Sequence, residues 1–381
     1  MRLLQRLLLV WLSLYFSSNG VRGIDKNKDD PTTLVFPAFL HTLGIRKATK
    51  FHLFLFMGNR VKFRDPQGLA VVRLESWEDT TKTSDDDEVT VYGVNSGQDN
   101  IIFNTSMTSL GVYGLTEQGD QRLNKPRGIA ANARGDVYVA DTGNHRVVRL
   151  FNPGRSLKFV GSIGRRGNKK GEFQAPRGVA LDSRGNLYVS DTGNNRIQIF
   201  DNQNHFIRAF GSSHRLIEPD GIAVMDSGER WSFYQDEFII VVDSANQRLQ
   251  KFSLEGNYLT AITARQFGYP KAYLAYVAVD YYSNVYVTDT ANHCIHKFDR
   301  GLNYLTTFGR YGSGDKEFME PRGITIYRRF GQTFVAEKEG AQYYWIGTDI
   351  LDFKTSYDSK NKRVQIEYFL TEPAFVTLDI Y

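Results

Sequence analysis

A six-residue motif recurs along this chain at nearly even spacing, each time directly after a short apolar run. It occurs at residues 141–146 (DTGNHR), 191–196 (DTGNNR), 243–248 (DSANQR) and 289–294 (DTANHC). The leading aspartates are 50, 52 and 46 residues apart. A sequence period of this size is typical of repeat proteins, in which each repeat folds as one supersecondary unit. A second motif, Pro-x-Gly, precedes other apolar runs at residues 126–128, 176–178 and 321–323, with weaker copies at 66–68 and 219–221.

Each repeat has the pattern of four short strands. In residues 176–211, four β-rich or apolar runs are separated by three turn clusters. This pattern predicts an antiparallel meander. Such a sheet has two apolar faces, and radial stacking of several sheets covers both, which gives a β-propeller with one blade per repeat. The Asp and Asn of the motif suit a turn, where we expect Gly143 and Gly193 to supply positive φ.

The sequence predicts six blades. Four carry the six-residue motif, and two are degenerate, with Asn95 and Asp99 marking the first and Glu337 the sixth. The predicted fold is therefore all-β, a six-bladed propeller with four antiparallel strands per blade. The sixth blade has no recognisable fourth strand, so we expect residues 51–57 (FHLFLFM) to supply it and close the ring. The alternative is a buried helix or strand on the side of the ring.

The combined repeat closely resembles the NHL repeat. The resemblance lies in the pattern PRG(I/V)A, G(N/D)(V/L)YV(A/S)DTGN(H/N)R and the linker GEFQAP at residues 171–176, echoed by KEFMEP at 316–321. It is strong over residues 120–325 and weaker over 60–119 and 326–348. The resemblance implies a six-bladed propeller used mostly for binding. It implies no single function, because similar propellers include RNA binders, protein-binding scaffolds and some lyases and lactonases.

The first twenty residues have the features of a secretory signal peptide. A basic start (MRLLQR) is followed by a ten-residue apolar run at 7–16 and a small-residue exit at 17–20. The alternative is an uncleaved anchor, although the run is too short to span a bilayer. The single cysteine, Cys294, rules out an internal disulfide and favours a bacterial periplasm or surface over an animal secretory pathway.

These features predict four regions. They are a signal peptide at 1–20, an N-terminal extension with a possible closing strand at 21–60, the propeller at 61–348 and a C-terminal segment at 349–381. In that segment, runs 363–370 and 374–381 flank TEP and predict a short β-hairpin. The runs look similar to the opening strands of an Ig-like module of bacterial surface proteins. Because such a sandwich needs about 100 residues, the segment is either a truncated module or packs on the propeller.

One face of the predicted ring collects the candidate site residues. In an up-and-down blade, the entry to the first strand and the corner between the second and third strands lie on the same face. The predicted ligand-binding face carries Arg127, Arg177, Asp220, Arg322, Asn144, Asn194, Asn246, Asn292 and Glu337. Residues copied in every blade usually serve the blade itself. We therefore interpret Asp141, Arg146, Asp191, Arg196, Asp243, Arg248 and Asp289 as structural corners.

Two insertions are expected on the opposite face. The first, residues 75–88, ends in an acidic cluster (DDDE) that lacks EF-hand spacing and indicates a solvated loop rather than a calcium site. The second, residues 227–237, holds Trp231, Phe233 and Tyr234. These aromatic side chains either anchor a partner or fold back as a lid on the propeller.

The sequence carries no HExxH, Gly-x-Ser-x-Gly or phosphate-loop motif. His145 and His293 share one repeat position and could ligate a metal with His296 or Cys294, but a corner role is favoured, so no metal or cofactor is predicted. The first hypothesis is a non-catalytic exported scaffold that binds a protein, peptide or glycan. One alternative is a metal-dependent lyase or lactonase, which the apolar inner strands disfavour. The other is an RNA-binding domain, which the signal peptide disfavours.

Overall fold

The computed structural model describes residues 34–35, 47–77, 89–106, 109–348, 350–358, 361, 363–372, 374 and 376. The predicted signal peptide and the acidic cluster at 85–88 lie outside the described residues, and export stays a prediction. Strands β1 (Leu34–Val35) and β2 (Lys47–Ala48) and helix α1 (Lys50–Met57) come before the first blade.

Five antiparallel four-stranded sheets follow as blades one to five. Blade one contains β3 (Pro66–Val72), β4 (Thr90–Asn95), β5 (Asn100–Ser106) and β6 (Ser109–Tyr113). Blade two contains β7 (Ile129–Ala131), β8 (Asp136–Asp141), β9 (Arg146–Phe151) and β10 (Lys158–Ile163), and blade three contains β11 (Val179–Leu181), β12 (Leu187–Asp191), β13 (Arg196–Phe200) and β14 (Phe206–Phe210). Blade four contains β15 (Pro219–Met225), β16 (Phe238–Asp243), β17 (Arg248–Phe252) and β18 (Tyr258–Thr263), and blade five contains β19 (Leu274–Val279), β20 (Val285–Asp289), β21 (Cys294–Phe298) and β22 (Tyr304–Phe308).

The sixth blade completes the predicted six-bladed propeller. A short parallel pair, β23 (Arg310–Tyr311) and β24 (Glu317–Phe318), lies before it. The blade contains β25 (Ile324–Tyr327), β26 (Gln332–Glu337) and β27 (Gly340–Ile346), and both β1 and β2 pair with β27. One-turn 3₁₀ helices form at Gly58–Arg60, Glu75–Trp77, Ser96–Gln98, Gly119–Gln121, Thr142–Asn144, Thr192–Asn194, Ser212–His214 and Ser244–Asn246.

The ring closes through the N-terminal residues, but not through the predicted ones. Residues 51–57 belong to helix α1 and form no strand. The backbone N–H of Thr49, at the start of the helix, donates to Nδ1 of His52 at 3.3 Å and begins a helical turn. Two dipeptides supply the outer strand instead, with Leu34 opposite Ile346 and Lys47 opposite Gln342.

Apolar side chains fill the spaces between neighbouring blades. In the largest cluster, Met225 and Phe238 of blade four pack with Val287 and Phe298 of blade five, and all four are buried. Similar clusters join blades one and two, two and three, three and four, and five and six. Blades two to five therefore bury both of their faces against their neighbours, as the repeat pattern predicts.

The glycine of Pro-x-Gly lets neighbouring innermost strands touch backbone to backbone. The N–H of Gly68 donates to the carbonyl of Arg127 at 3.0 Å, and that of Gly128 donates to the carbonyl of Arg177 at 2.8 Å. A methyl group on Gly178 would collide with the carbonyl oxygen of Asp220. Glycine, which has no Cβ, allows this close approach in blades one, two and three.

The turn of the six-residue motif, here called the motif corner, corrects one expectation. Gly143 and Gly193 do not have positive φ; the left-handed residue is the fifth of the motif, with φ of 55° at His145 and 55° at Asn195. A Cβ on Gly143 would lie only 2.6 Å from the side chain of Asn124. The glycine is therefore needed for space rather than for backbone freedom.

The C-terminal segment forms a hairpin, but with a different partner strand. Strand β29 (Arg363–Leu370) pairs antiparallel with β28 (Ile350–Asp358), which precedes it, whereas most of the predicted run 374–381 lies outside the described residues. Thr371 and Glu372 then reach the flank of blade five. The fully buried Lys297 forms an ion pair with the Glu372 carboxylate, and its Nζ donates to the Thr371 hydroxyl at 3.1 Å. The end of the hairpin thus packs on the propeller, and the resemblance to an Ig-like module stays a prediction.

A pH-sensitive carboxyl group lies in the same buried contact. Asn284 Nδ2 donates to Asp280 at 3.1 Å and to Glu372 at 3.0 Å. Burial raises the pKa of Asp280 from 3.8 to about 6; Lys297 opposes the rise and Glu372 adds to it. Because this folded-state pKa is raised, protonated Asp280 stabilises the fold below pH 3.8, and this contribution is lost as the pH rises through about 6.

Ionisation of Asp280 should therefore lower the free energy of unfolding of the wild type by roughly 3 kcal/mol as the pH rises over this range. Asp280→Asn cannot ionise, so most of this pH-dependent loss should be absent from the variant. Urea unfolding at a series of pH values measures it. Asp182→Asn is the matched control, because Asp182 accepts the equivalent bonds from Asn186 and Tyr188 in blade three, away from the C-terminal segment. Equal pH dependence in the wild type and Asp280→Asn would contradict the assignment.

Candidate functional site

Six side chains, one from each blade, meet where the central channel opens on the face that carries the motif corners. This channel mouth consists of Gln67, Arg127, Arg177, Asp220, Tyr276 and Arg322. Arg127, Arg177, Asp220 and Arg322 are x residues of Pro-x-Gly, so the entry to each innermost strand positions them. The structure brings these four predicted residues together.

Asp220 is the most constrained group of the channel mouth. Its side chain is 1% exposed, and its Oδ2 lies 3.4 Å from Nη1 of Arg177 and 4.0 Å from Nη1 of Arg127. Within the described part of the chain, no group donates a hydrogen bond to its Oδ1. Burial raises the pKa of Asp220, and the guanidinium groups of Arg177 and Arg127 oppose that rise. A buried acceptor oxygen of this kind is costly unless a donor reaches it.

The three arginines differ in how far they are neutralised. Arg322 forms ion pairs with Asp65 and, at 3.3 Å, with Glu320. Arg127 and Arg177 both approach the buried carboxylate of Asp220, Arg177 also lies 4.0 Å from the exposed carboxylate of Glu218, and the two arginine side chains are 31% and 23% exposed. Both guanidinium groups of this two-blade sector are therefore partly exposed, and a ligand can reach them.

Tyr276 was not predicted, because blade five has no Pro-x-Gly motif. A Cβ on Gly178 would collide with the carbonyl of Asp220, the x residue of the next blade. A Cβ on Gly221 would collide in the same way with the carbonyl of Ala275. Ala275 is therefore the x residue of blade five, and Tyr276 takes the glycine position. The Tyr276 hydroxyl donates to Oε1 of Gln67 in blade one at 3.1 Å. A spacing in the sequence could have located this strand entry. The x residue precedes the motif aspartate by 14 residues in blades two, three and five.

The motif asparagines do not belong to the channel mouth. The Nδ2 atoms of Asn144, Asn194, Asn246 and Asn292 donate to the motif aspartate of the same blade at 2.9, 2.9, 2.9 and 2.6 Å. Glu337 takes the place of that aspartate in blade six, where it is buried and accepts from the backbone N–H of Met319 at 2.7 Å. These five side chains are engaged in their own corners.

The motif aspartates and arginines form the corners themselves. The Nε atoms of Arg146, Arg196 and Arg248 lie 2.8, 2.8 and 2.6 Å from Asp141, Asp191 and Asp243. Each of these aspartates is fully buried and also accepts a backbone N–H from the loop that precedes its blade, donated by Asn124, Gln174 and Ile217. This arrangement fits their interpretation as structural corners.

Blade five carries a different set of side chains at the same corner. Asp289 Oδ2 lies 3.1 Å from His296 Nε2, and Cys294 stands where other blades have arginine. The ligand atoms of all three lie within 4.8 Å of one another, and burial raises the pKa of the Cys294 thiol. However, His296 Nδ1 is bonded to Thr307 at 2.6 Å, and the ring of Tyr269 covers the imidazole at 4.4 Å. Asp289, Cys294 and His296 therefore have the features of a motif corner in which other side chains replace the usual ones.

His145 and His293 link neighbouring blades. Their Nδ1 atoms accept the backbone N–H groups of Ala175 and Glu320, at 2.9 and 3.0 Å, just before the proline of the next blade. Asn195 holds Glu218 in the same way at 2.9 Å. Within the described residues these histidines serve inter-blade contacts rather than a shared metal site.

Beyond the channel mouth, toward the face opposite the motif corners, the channel forms a cavity of about 520 Å³. Its walls are mainly Val, Ile, Leu and Ala of the innermost strands. Arg328 crosses its floor, donates to the carbonyls of Val279 and Val224 at 3.1 and 3.2 Å, and pairs with Glu229 at 2.6 Å. Trp231 also lines this cavity. Residues 228–231 of the insertion thus fold back over the channel as the lid alternative predicts, whereas Phe233 and Tyr234 are 51% and 40% exposed.

A family model for the NHL repeat matches residues 123–150 and 173–200, which span parts of blades two and three. The chain carries NHL repeats in a six-bladed β-propeller. Both matched segments contain a motif corner, and blades four and five repeat its Asn–Asp hydrogen bond.

Two curated proteins match this NHL-repeat chain over part of their length. Protein brain tumor of Drosophila melanogaster is 28% identical over 149 residues, which are 39% of this chain and 13% of that protein. B-box type zinc finger protein ncl-1 of Caenorhabditis elegans is 29% identical over 157 residues, 41% of this chain and 17% of that protein. The matched region spans less than a fifth of either relative.

Solved structures share the fold at low identity. The gluconolactonase XC5397 from Xanthomonas campestris superposes with a TM-score of 0.53 at 12% identity, over 84% of this chain and 96% of that chain. This similarity shows a common architecture alone.

Proposed function

We propose that this NHL-repeat propeller is a non-catalytic binding scaffold whose channel mouth takes an acidic segment of a protein or peptide partner. One observation carries the proposal. Arg127 and Arg177, from adjacent blades, flank a buried Asp220 whose Oδ1 accepts no hydrogen bond from any described residue. A peptide offers both complements, because a Glu or Asp carboxylate pairs with guanidinium groups and a backbone N–H satisfies a carboxylate oxygen.

The same sector argues against a metal-dependent lyase or lactonase at this position. A divalent cation held by protein oxygens needs several of them. The channel mouth offers the carboxylate of Asp220, which two guanidinium groups already approach within 4.0 Å. Their positive charge repels a cation, and the cavity below is walled mainly by apolar side chains.

The proposal predicts a charge-dependent peptide affinity. A fluorescent Glu/Gly peptide should bind more tightly than its Gln/Gly analogue, and Arg127→Gln/Arg177→Gln should weaken the Glu peptide about tenfold or more, because each charged hydrogen bond contributes about 1.5–3 kcal/mol. Fluorescence anisotropy over a salt series measures both differences.

Arg134→Gln/Arg184→Gln is the matched control. It removes the same charge from exposed turns of the same two blades on the opposite face, and it should leave the affinity unchanged. The proposal fails if the Glu and Gln peptides bind equally, or if both double variants bind like the wild type. Tighter binding of a single-stranded RNA at the same arginines would replace it with the RNA-binding alternative.

A further inference from the structure

Helix α1 exposes apolar side chains that soluble proteins normally cover. Phe51, Leu55, Phe54 and Phe56 are 68%, 63%, 53% and 37% exposed, while Leu53 is the residue of this helix that is buried. A helix that is apolar on most of its surface is usually buried in protein or in lipid. A contiguous exposed patch of this kind marks an interaction surface.

The position of the helix is fixed at both ends. Before it, Lys47 and Ala48 pair with blade six, and Lys50 forms an ion pair with Glu339 at 2.7 Å. After it, the backbone N–H of Lys62 donates to Gln98 at 2.7 Å, beside the corner of blade one. The helix therefore lies on the rim between blades six and one, on the same face as the channel mouth.

The segment of sequence that contains the helix is rich in basic residues, although Lys47 and Lys50 pair with Glu337 and Glu339. Residues 31–64 contain six Lys and Arg and no Asp or Glu. Lys50 precedes the exposed aromatic side chains, and Arg60, Lys62 and Arg64 follow them; all four basic residues are exposed. Apolar side chains bordered by Lys and Arg are the combination that binds the interface of an anionic membrane, where acyl-chain burial and attraction to the headgroups act together.

The positive charge beside helix α1 disfavours a second copy of this chain as the partner of this surface. In a symmetric dimer, the same patch of both copies would meet, which would place Arg60 and Lys62 of each copy near those of the other. Like charges brought together at an interface oppose association. A helix of eight residues is about 12 Å long, and none of the helices in the described ranges has the length and apolarity to cross a membrane.

We infer that helix α1 and the basic residues 60–64 form a docking site for the surface of an anionic lipid bilayer. The aromatic side chains enter the interface, and the Lys and Arg side chains contact the headgroups. The inference does not depend on the peptide proposal, since it uses other residues. If both hold, docking brings the channel mouth close to the membrane surface.

Vesicle flotation of the full chain tests the inference. The wild type should float with phosphatidylcholine/phosphatidylglycerol vesicles, and Phe54→Ser/Leu55→Ser should lower its partition coefficient about tenfold or more, because two large apolar side chains no longer enter the lipid. Ile207→Ser/Leu259→Ser is the matched control: both residues are about as exposed, at 43% and 50%, but lie on the outer strands of blades three and four. The control should bind like the wild type.

A local probe separates the helix from the apolar run at 7–16. Cys294 is buried, so Phe54→Cys and Ile207→Cys can be labelled selectively with an environment-sensitive fluorophore. Anionic vesicles should shift the emission at position 54 to shorter wavelength and leave that at 207 unchanged. Arg60→Gln/Lys62→Gln should reduce the shift and its salt dependence.

Three results would overturn the inference. One is no shift at position 54. Another is equal binding to vesicles with and without phosphatidylglycerol. The third is a dimer in sedimentation that Phe54→Ser/Leu55→Ser dissociates, which would assign the surface to a second copy of the chain.

Discussion

Replacing Asp191 with alanine is expected to lower the free energy of unfolding by about 3–5 kcal/mol. Asp191 is fully buried and accepts from the backbone N–H of Gln174 at 2.7 Å, from Arg196 Nε at 2.8 Å and from Gln198 Nε2 at 2.9 Å. The substitution removes the acceptor of a largely buried guanidinium group and of three further donors, the third being Asn194 Nδ2 at 2.9 Å. Urea denaturation followed by circular dichroism measures the change.

The equivalent aspartate of blade four allows the same test. Asp243 accepts the equivalent bonds from Arg248 at 2.6 Å and Gln250 at 2.8 Å, so Asp243→Ala should cost a similar amount. Asp315→Ala, at an exposed loop position, should change stability by less than about 0.5 kcal/mol. If Asp191→Ala resembles Asp315→Ala, the motif corner does not have the structural role that we assign to it.

The second large effect is expected at the buried end of the C-terminal hairpin. Glu372→Ala should destabilise the protein by about 3–5 kcal/mol, because it leaves the fully buried ammonium group of Lys297 without its paired carboxylate. Chemical denaturation gives the free energy, and hydrogen exchange of residues 350–370 shows whether the hairpin detaches. Glu367→Ala, on the exposed side of β29, is the control and should behave like the wild type.

A double variant separates an unpaired charge from a lost contact. Lys297→Met/Glu372→Leu removes both charges and keeps apolar volume, so it should recover most of the stability, as replacement of buried ion pairs by apolar residues often does. If the double variant is as unstable as Glu372→Ala, the charge of Lys297 is not the cause of the effect.

The propeller could be predicted because its repeat recurs several times along the sequence, most clearly in four of the six blades. The 46 to 52-residue spacing, the four-strand meander and the Pro-x-Gly entries each appear several times in the sequence. The closing strand appears once and is made of two dipeptides, Leu34–Val35 and Lys47–Ala48. Two residues cannot show an alternating pattern, whereas residues 51–57 have the apolar character of a strand although they form a helix.

The candidate site was predicted in part for a similar reason. The x residues Arg127, Arg177, Asp220 and Arg322 follow directly from the register of the innermost strands. The asparagines of the motif share their face, but the sequence does not show that the corner already uses their amide groups. Nor does it show that Lys297, an exposed residue type, would be fully buried by a partner 75 residues away.

The closing of blade six has a mechanical consequence. Leu34 lies opposite Ile346, so the chain enters and leaves this sheet at the same end. Tension applied across those two points would load the backbone bonds of the seam one after another, as in a zipper, instead of all at once. The ring would therefore open at this seam under far less force than is needed to shear apart any four-stranded blade.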